Sequence, residues 1–304
     1  MDPPFGKVAT AMITPFSEDG GVDLEGTRRL VRHLVDNGSD AIVVCGTTGE
    51  SPTLEDSEKL ALIETVLEAV EGRAKVLAGT STYDTRHSVW LTQKVCNLGI
   101  DGILAVTPYY NRPTQAGIKA HFEAIADEST APVMLYNIPS RTGRRVELAT
   151  IAELATHPKI VAVKDAVGDL SFTSQTMRTV PMPFWIYSGD DALTLPMLSV
   201  GAVGVVSVAS HLSGNAIARM IRAFEAGQNS EATQIHLQLF GLFEALFVEP
   251  NPIPLKAALE GCGLPAGHPR LPLTPATEPT KRKVAEAMEE ASDLLDVRLT
   301  RVRT

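Results

Sequence analysis

The 304-residue chain is 44% apolar and 21% charged, ordinary globular usage that argues against a disordered or fibrous class and allows a large buried core. A net charge of −9 without a basic cluster argues against a nucleic-acid partner, and the longest apolar runs, such as Ala41–Cys45 and Ala202–Ala209, are too short to span a membrane. No basic region followed by an apolar stretch opens the chain, so no secretory signal is read and a cytoplasmic location is expected.

Apolar, β-rich segments recur at Val8–Pro15, Ala41–Cys45, Lys75–Gly79, Gly102–Thr107, Val133–Asn137, Ile160–Lys164, Phe184–Ser188 and Val203–Val208. Amphipathic stretches lie between them, among them Asp23–Asn37, Asp56–Val70, Thr85–Asn97 and Thr114–Asp127. Several open on Asp or Thr, which accept from free backbone N–H groups, and Gly38, Gly72 and Gly99 stand just past helix ends. Eight strands in alternation with helices predict an α/β fold, a (β/α)8 TIM barrel over residues 1–227 that carries the catalytic site. Residues 228–304 contain no strand pattern; helices at Ser230–Val248, Ile253–Gly261 and Pro279–Leu295 predict a C-terminal all-helical domain. The competing fold, a doubly wound open sheet, usually brings a Gly-rich phosphate loop that is not found.

Barrel chemistry sits at the C-terminal ends of the strands. There the sequence places Thr47, Thr48 and Glu50, then Tyr109 and Tyr110, Tyr136 and Arg141, Lys164 and Asp165, and Gly189-Asp190-Asp191. Lys164 is the most informative, because Ile160–Val163 delivers it at the end of an apolar strand, where lysine is rare. Burial disfavours the charged form of an amine, and the neutral form attacks carbonyls. Taken alone, a structural lysine paired with Asp165 or Glu50 is an equally good reading. Lys159, at the other end of the strand, reads as a solvated charge. Gly46-Thr47-Thr48-Gly49-Glu50 offers two hydroxyls and a turn whose N–H groups can converge on a carboxylate, though by itself it is only a βα turn. Tyr136 supplies a phenol, and Arg141 a guanidinium suited to bidentate carboxylate binding. At least one of Tyr109 and Tyr110 reads as a packing ledge. Cys45, Cys96 and Cys262 fit reduced core thiols, and no His-x-His or His-Glu-x-x-His occurs, so neither metal nor cofactor is expected.

Four motifs, Gly46–Ser51, Thr107-Pro108-Tyr109-Tyr110-Asn111, Tyr136-Asn137-Ile138-Pro139-Ser140-Arg141-Thr142 and Val163-Lys164-Asp165, stand together in one order and spacing. On these the chain resembles the dihydrodipicolinate synthase family of pyruvate-dependent class I aldolases, a superfamily that also holds N-acetylneuraminate lyase. Arg141 and the segment Glu249–Pro254 with Lys256 favour that branch over its relatives. The resemblance implies a Schiff base between Lys164 and pyruvate, whose carboxylate Thr47 and Thr48 hold. It implies a proton relay of Tyr136, Thr47 and Tyr110, with Tyr110 reaching a neighbouring subunit of a homotetramer built from tight dimers. Arg141 is expected to bind the carboxylate of L-aspartate 4-semialdehyde, the Val206 carbonyl to contact the lysine, and Gly189 to line the pocket. The implied product, 4-hydroxy-tetrahydrodipicolinate, feeds diaminopimelate and lysine synthesis. The alternative is a 2-keto-3-deoxy sugar acid or 4-hydroxy-2-oxoglutarate aldolase; a non-catalytic barrel is a more distant reading. Feedback-inhibited members bind lysine through positions that read Tyr83, His87 and Asp56 here, so weak or absent lysine inhibition is expected.

Overall fold

The structure is a computed structural model and describes residues 2–298. Met1 and the last six positions of the expected C-terminal domain, 299–304, lie outside the described residues. Eight parallel strands close in sequence order, β1 (Val8–Ala11), β2 (Ala41–Val44), β3 (Lys75–Gly79), β4 (Gly102–Val106), β5 (Val133–Asn137), β6 (Ile160–Asp165), β7 (Trp185–Ser188) and β8 (Gly204–Ser207), with β8 pairing back to β1. Around them run α1 (Leu24–Asp36), α2 (Asp56–Ala69), α3 (Thr85–Cys96), α4 (Gln115–Glu128), the short α5 (Pro139–Thr142), α6 (Leu148–Leu154), α7 (Leu170–Thr179), α8 (Thr194–Leu198) and α9 (Ser210–Glu225). The C-terminal part is helical: α10 (Asn229–Ala245), α11 (Ile253–Gly261) and α12 (Glu278–Glu290). No helix among the described residues is long and apolar enough to cross a membrane.

Strand side chains alternate between two apolar clusters, as the period of two requires. In β2, Ala41 and Val43 face the barrel lumen, while Ile42 and Val44 face the helices. In β5, Met134 and Tyr136 point inward and Val133 and Leu135 outward. Phe5 is fully buried and fills the lumen at the N-terminal end of the strands: a Cβ on Gly102 would come within 2.6 Å of its ring. The Tyr187 hydroxyl accepts from Phe5 N and donates to Gly6 O, which ties this plug to β7.

Helix starts follow the expected chemistry with small shifts. Asp23 Oδ1 accepts from Gly26 N at 2.8 Å, and Thr114 Oγ1 from Gly117 N at 3.2 Å. Asp84, rather than Thr85, caps α3, and Glu55, rather than Asp56, precedes α2, its own N–H held by the Glu58 carboxylate. Gly38, Gly72 and Gly99 follow α1, α2 and α3 with φ of 91°, 71° and 86°, a region that a Cβ disfavours. The first strand is shorter than expected. Its ladder stops at Ala11, only Met12 N still reaches Val43 O, and Phe16 bridges antiparallel to Val22 instead. The last helix ends at Glu290, and Ser292–Leu294 form a 3-10 turn.

Candidate active site

Lys164 sits one step from the end of β6, in register with Tyr136 of β5 on one side and Tyr187 of β7 on the other. Alternation aims all three inward, and Lys164 is only 5% exposed. Its Nζ lies 4.3 Å from the Tyr136 ring centroid. No carboxylate among the described residues forms an ion pair with it. Asp165, the next residue, takes the opposite face of the strand: its Oδ2 accepts from Thr173 Oγ1 at 2.7 Å and its Oδ1 from Val167 N at 3.0 Å. Burial raises the Asp165 pKa against those two hydrogen bonds. Glu50, the other partner considered, is engaged by Lys256. The structural pairing considered for Lys164 is therefore absent.

Above Tyr136 opens a cavity of about 220 Å³, walled by Thr47, Tyr109, Tyr136, Arg141 and Thr142 among others. Thr47 comes from the turn after β2, and that turn closes on itself through Glu50 N to Thr47 O (3.1 Å) and Ser51 N to Gly46 O (3.3 Å). Cys45 and Glu50, at its two ends, hold φ of 56° and 54°, a left-handed backbone that non-glycine residues adopt at some cost. Thr48 is buried in the turn, and its Oγ1 accepts from Asn251 Nδ2 at 2.9 Å. Arg141, at the end of α5, is exposed at the cavity rim.

Gly189 packs directly on the lysine: a Cβ there would meet Ala166 Cβ at 2.7 Å and Lys164 Cε at 3.1 Å. Val206, on β8, belongs to the same luminal cluster as Tyr136. Tyr110 stands apart from the cavity wall and is 91% exposed, with a left-handed φ of 69°. No hydrogen bond joins the Thr47, Tyr136 and Tyr110 hydroxyls within the single chain, among the described residues. Tyr109 is the packing member of the pair, its ring edge-on to Tyr83 at 5.4 Å, and burial raises its pKa.

Sequence reasoning did not foresee how the C-terminal part grips the turn. Lys256 of α11 pairs with Glu50, Arg270 N donates to Glu50 Oε2 at 2.9 Å, and the Lys256 and Arg270 cations both lie over the Phe16 ring, at 4.1 and 4.5 Å. Arg270 also binds Glu58 and the Gly20 and Thr53 carbonyls. The only sequence signal was the Pro-rich run Glu249–Pro254, with Asn251 between two prolines.

Tyr83, Asp56 and His87 gather elsewhere, around a cavity of about 430 Å³. His87 Nε2 lies 2.8 Å from Asp56 Oδ2, and Lys59 Nζ 3.1 Å from Asp56 Oδ1. Burial raises the Asp56 pKa, but these contacts outweigh it and hold the carboxyl below its usual value.

The model of the dihydrodipicolinate synthetase family matches residues 4–291. A protein of Moorella thermoacetica named 4-hydroxy-tetrahydrodipicolinate synthase is 51% identical over 286 residues, covering 94% of this chain and 98% of its own length. Among solved structures, dihydrodipicolinate synthase from Cyanidioschyzon merolae with lysine bound superimposes with a TM-score of 0.94 at 49% identity, covering 95% of this chain and 99% of that one. The chloride-inhibited synthase from Acinetobacter baumannii complexed with pyruvate gives 0.91 at 36% identity, covering 94% and 98%.

Proposed function

The chain belongs to the dihydrodipicolinate synthetase family of class I aldolase-type lyases, and from that premise we propose that its 4-hydroxy-tetrahydrodipicolinate synthase activity runs through a Schiff base between Lys164 and pyruvate. The observation that carries this reading is the Lys164 amine itself, buried at the luminal end of β6, against a tyrosine ring and without a carboxylate partner among the described residues.

Lys164 attacks the pyruvate carbonyl, water leaves, and loss of a methyl proton gives an enamine. The turn hydroxyls of Thr47 and Thr48 hold the pyruvate carboxylate, with backbone N–H groups beside them. The enamine carbon bonds to the aldehyde carbon of L-aspartate 4-semialdehyde, whose carboxylate Arg141 binds at the rim, and the semialdehyde's amine then attacks the imine carbon, which closes the ring and releases Lys164. Tyr136 relays protons with Thr47 and with Tyr110 of a second subunit; a phenol suits this because the step needs a proton carrier rather than a fixed charge. The 91% exposure of Tyr110 supports its serving another copy in a dimer of dimers. Val206 offers its carbonyl to the lysine, and Gly189 leaves the amine its room. We assign residues 1–227 to the catalytic barrel and 228–304 to a C-terminal helical domain, in a cytoplasmic enzyme serving diaminopimelate and lysine synthesis. The alternative sugar-acid or 4-hydroxy-2-oxoglutarate aldolases draw no support from these relatives.

Borohydride trapping with pyruvate, read by intact mass and peptide mapping on wild type and Lys164→Ala, tests this. A pyruvate-sized adduct on Lys164, lost in the variant and turned over on adding the semialdehyde, is expected. Trapping without such turnover points to a sister aldolase, and no adduct at all removes the Schiff base.

A further inference from the structure

A threonine hydroxyl has one proton to give, and at Thr48 a residue 203 positions downstream governs its direction. An amide nitrogen only donates, so in the 2.9 Å contact between Asn251 Nδ2 and Thr48 Oγ1 the threonine is the acceptor. The Thr48 proton is thereby left over, and no hydrogen bond among the described residues takes it up. Thr48 stands in the turn that the proposed reaction uses to hold the substrate carboxylate.

We infer that Asn251 is a positioning residue: by donating to Thr48, it directs the Thr48 hydroxyl proton to the carboxylate of the bound 2-oxo acid. This rests on the Schiff-base reading above and adds a residue to it. Accepting one hydrogen bond makes a hydroxyl a better donor in the next, so the contact both orients and strengthens the Thr48 donor. Asn251 is well placed to hold that orientation. It is buried between Pro250 and Pro252, Ile253 N donates to Pro250 O at 2.9 Å, and α11 begins there. One turn into α11, Lys256 pairs with Glu50. The entry to α11 thus touches the Gly46–Glu50 turn at Thr48 and again at its far end, leaving Thr47 free for the cavity.

Aspartate has the shape of asparagine and no N–H. At position 251 it would take up the Thr48 proton and set a negative charge toward the substrate carboxylate. The test is steady-state kinetics with pyruvate varied, on wild type, Asn251→Ala, Asn251→Asp, Thr48→Val and the Thr48→Val/Asn251→Ala double variant, with melting temperatures recorded. Asn251→Asp is expected to raise the pyruvate KM by about tenfold or more with kcat within about threefold, because a reversed donor opposes a charge-assisted bond. Asn251→Ala should raise KM less. Adding it to Thr48→Val should raise KM no further, because the two act through one hydroxyl.

A purely structural Asn251 would lower the melting temperature of both Asn251 variants alike and leave the pyruvate KM of the folded enzyme at the wild-type value. That result, or full additivity of Asn251→Ala and Thr48→Val, overturns the inference. Should Asn251→Asp fail to fold, the cycle with Asn251→Ala decides. Borohydride trapping of the wild type separates the two claims: no adduct sinks the Schiff-base reading itself, whereas an adduct with unchanged KM in the variants sinks only the role of Asn251.

Discussion

Lys256 Nζ and Glu50 Oε1 stand 2.7 Å apart with both side chains 2% exposed, and neither atom has another hydrogen-bond partner among the described residues. Burial lowers the Lys256 pKa, with Glu50 working against it. Removing one member of such a pair strands the other charge in the interior. Lys256→Met should therefore lower the unfolding free energy by about 3–5 kcal/mol, and Lys256→Met with Glu50→Gln should recover much of that loss. Urea denaturation of the two variants checks this; a double variant no more stable than the single one would show that the pair's charge is not what matters.

At Gly189 the room is set by sterics. Gly189→Ala places a methyl 2.7 Å from Ala166 Cβ, so the backbone after β6 or β7 must shift, and 3.1 Å from Lys164 Cε, so the lysine chain must give as well. A displacement at the proposed nucleophile is expected to lower kcat about 10–100-fold. Single-turnover borohydride trapping should show slower adduct formation at unchanged fold, read by circular dichroism. Wild-type trapping rates in Gly189→Ala would mean that the lysine reaches its carbonyl by another route.

In the cavity beside Asp56 that carboxylate already has two partners, the His87 ring at 2.8 Å and the Lys59 ammonium at 3.1 Å. An incoming lysine ammonium meets Lys59 at that carboxylate, which is already engaged. Inhibition by lysine is expected to be weak or absent, and His87→Glu should increase it. Strong inhibition of the unaltered enzyme at micromolar lysine would contradict this.

Stability should fall in mild acid because of two buried histidines. Burial holds His121 and His211 neutral, each pKa pushed down to about 4. His211 Nδ1 faces the Val208 carbonyl and its Nε2 faces Ile13 N–H, which fixes the neutral tautomer. His121 is bracketed by the Ser81 and Thr85 hydroxyls at 2.9 and 2.8 Å. An unfolded histidine binds its proton below about 6.5, so between that pH and 4 the unfolded chain holds more protons and is favoured. The contribution is fully present above about pH 6.5 and declines toward pH 4, by a few kcal/mol per residue. Denaturation midpoints across this window should drop less steeply in His121→Asn than in wild type; parallel slopes would remove His121 from the account.

The barrel and its lysine were legible because both are local. Val163 and Lys164 fall on opposite faces of a strand whose period is two, so an apolar run ending in lysine places the amine in the lumen. The same alternation decided what the sequence left open: Asp165, adjacent in the chain, necessarily faces Thr173 and the helices. The helices α2 and α3 begin at Asp56 and Thr85 as expected, but the cap falls one residue earlier, at Glu55 and Asp84, where neighbouring polar residues compete for the same N–H groups. The contacts of Asn251, Lys256 and Arg270 with the turn were not legible, because they join segments some 200 residues apart that share no periodicity. Tyr110 gave a motif without a location, since its surroundings in one chain are solvent.

The anchoring of the Gly46–Glu50 turn by Asn251 and Arg270 has a consequence for synthesis. Chains leave the ribosome from the N-terminus, and domains tend to fold as they emerge. Thr48 and Glu50 are among the early arrivals, yet their partners follow 203 and 220 positions later, after the eighth strand. All eight strands can pair while this turn still lacks its anchors. The Gly46–Glu50 turn has its full set of contacts only once helix α11 and the segment that carries Arg270 have been made and have docked on it.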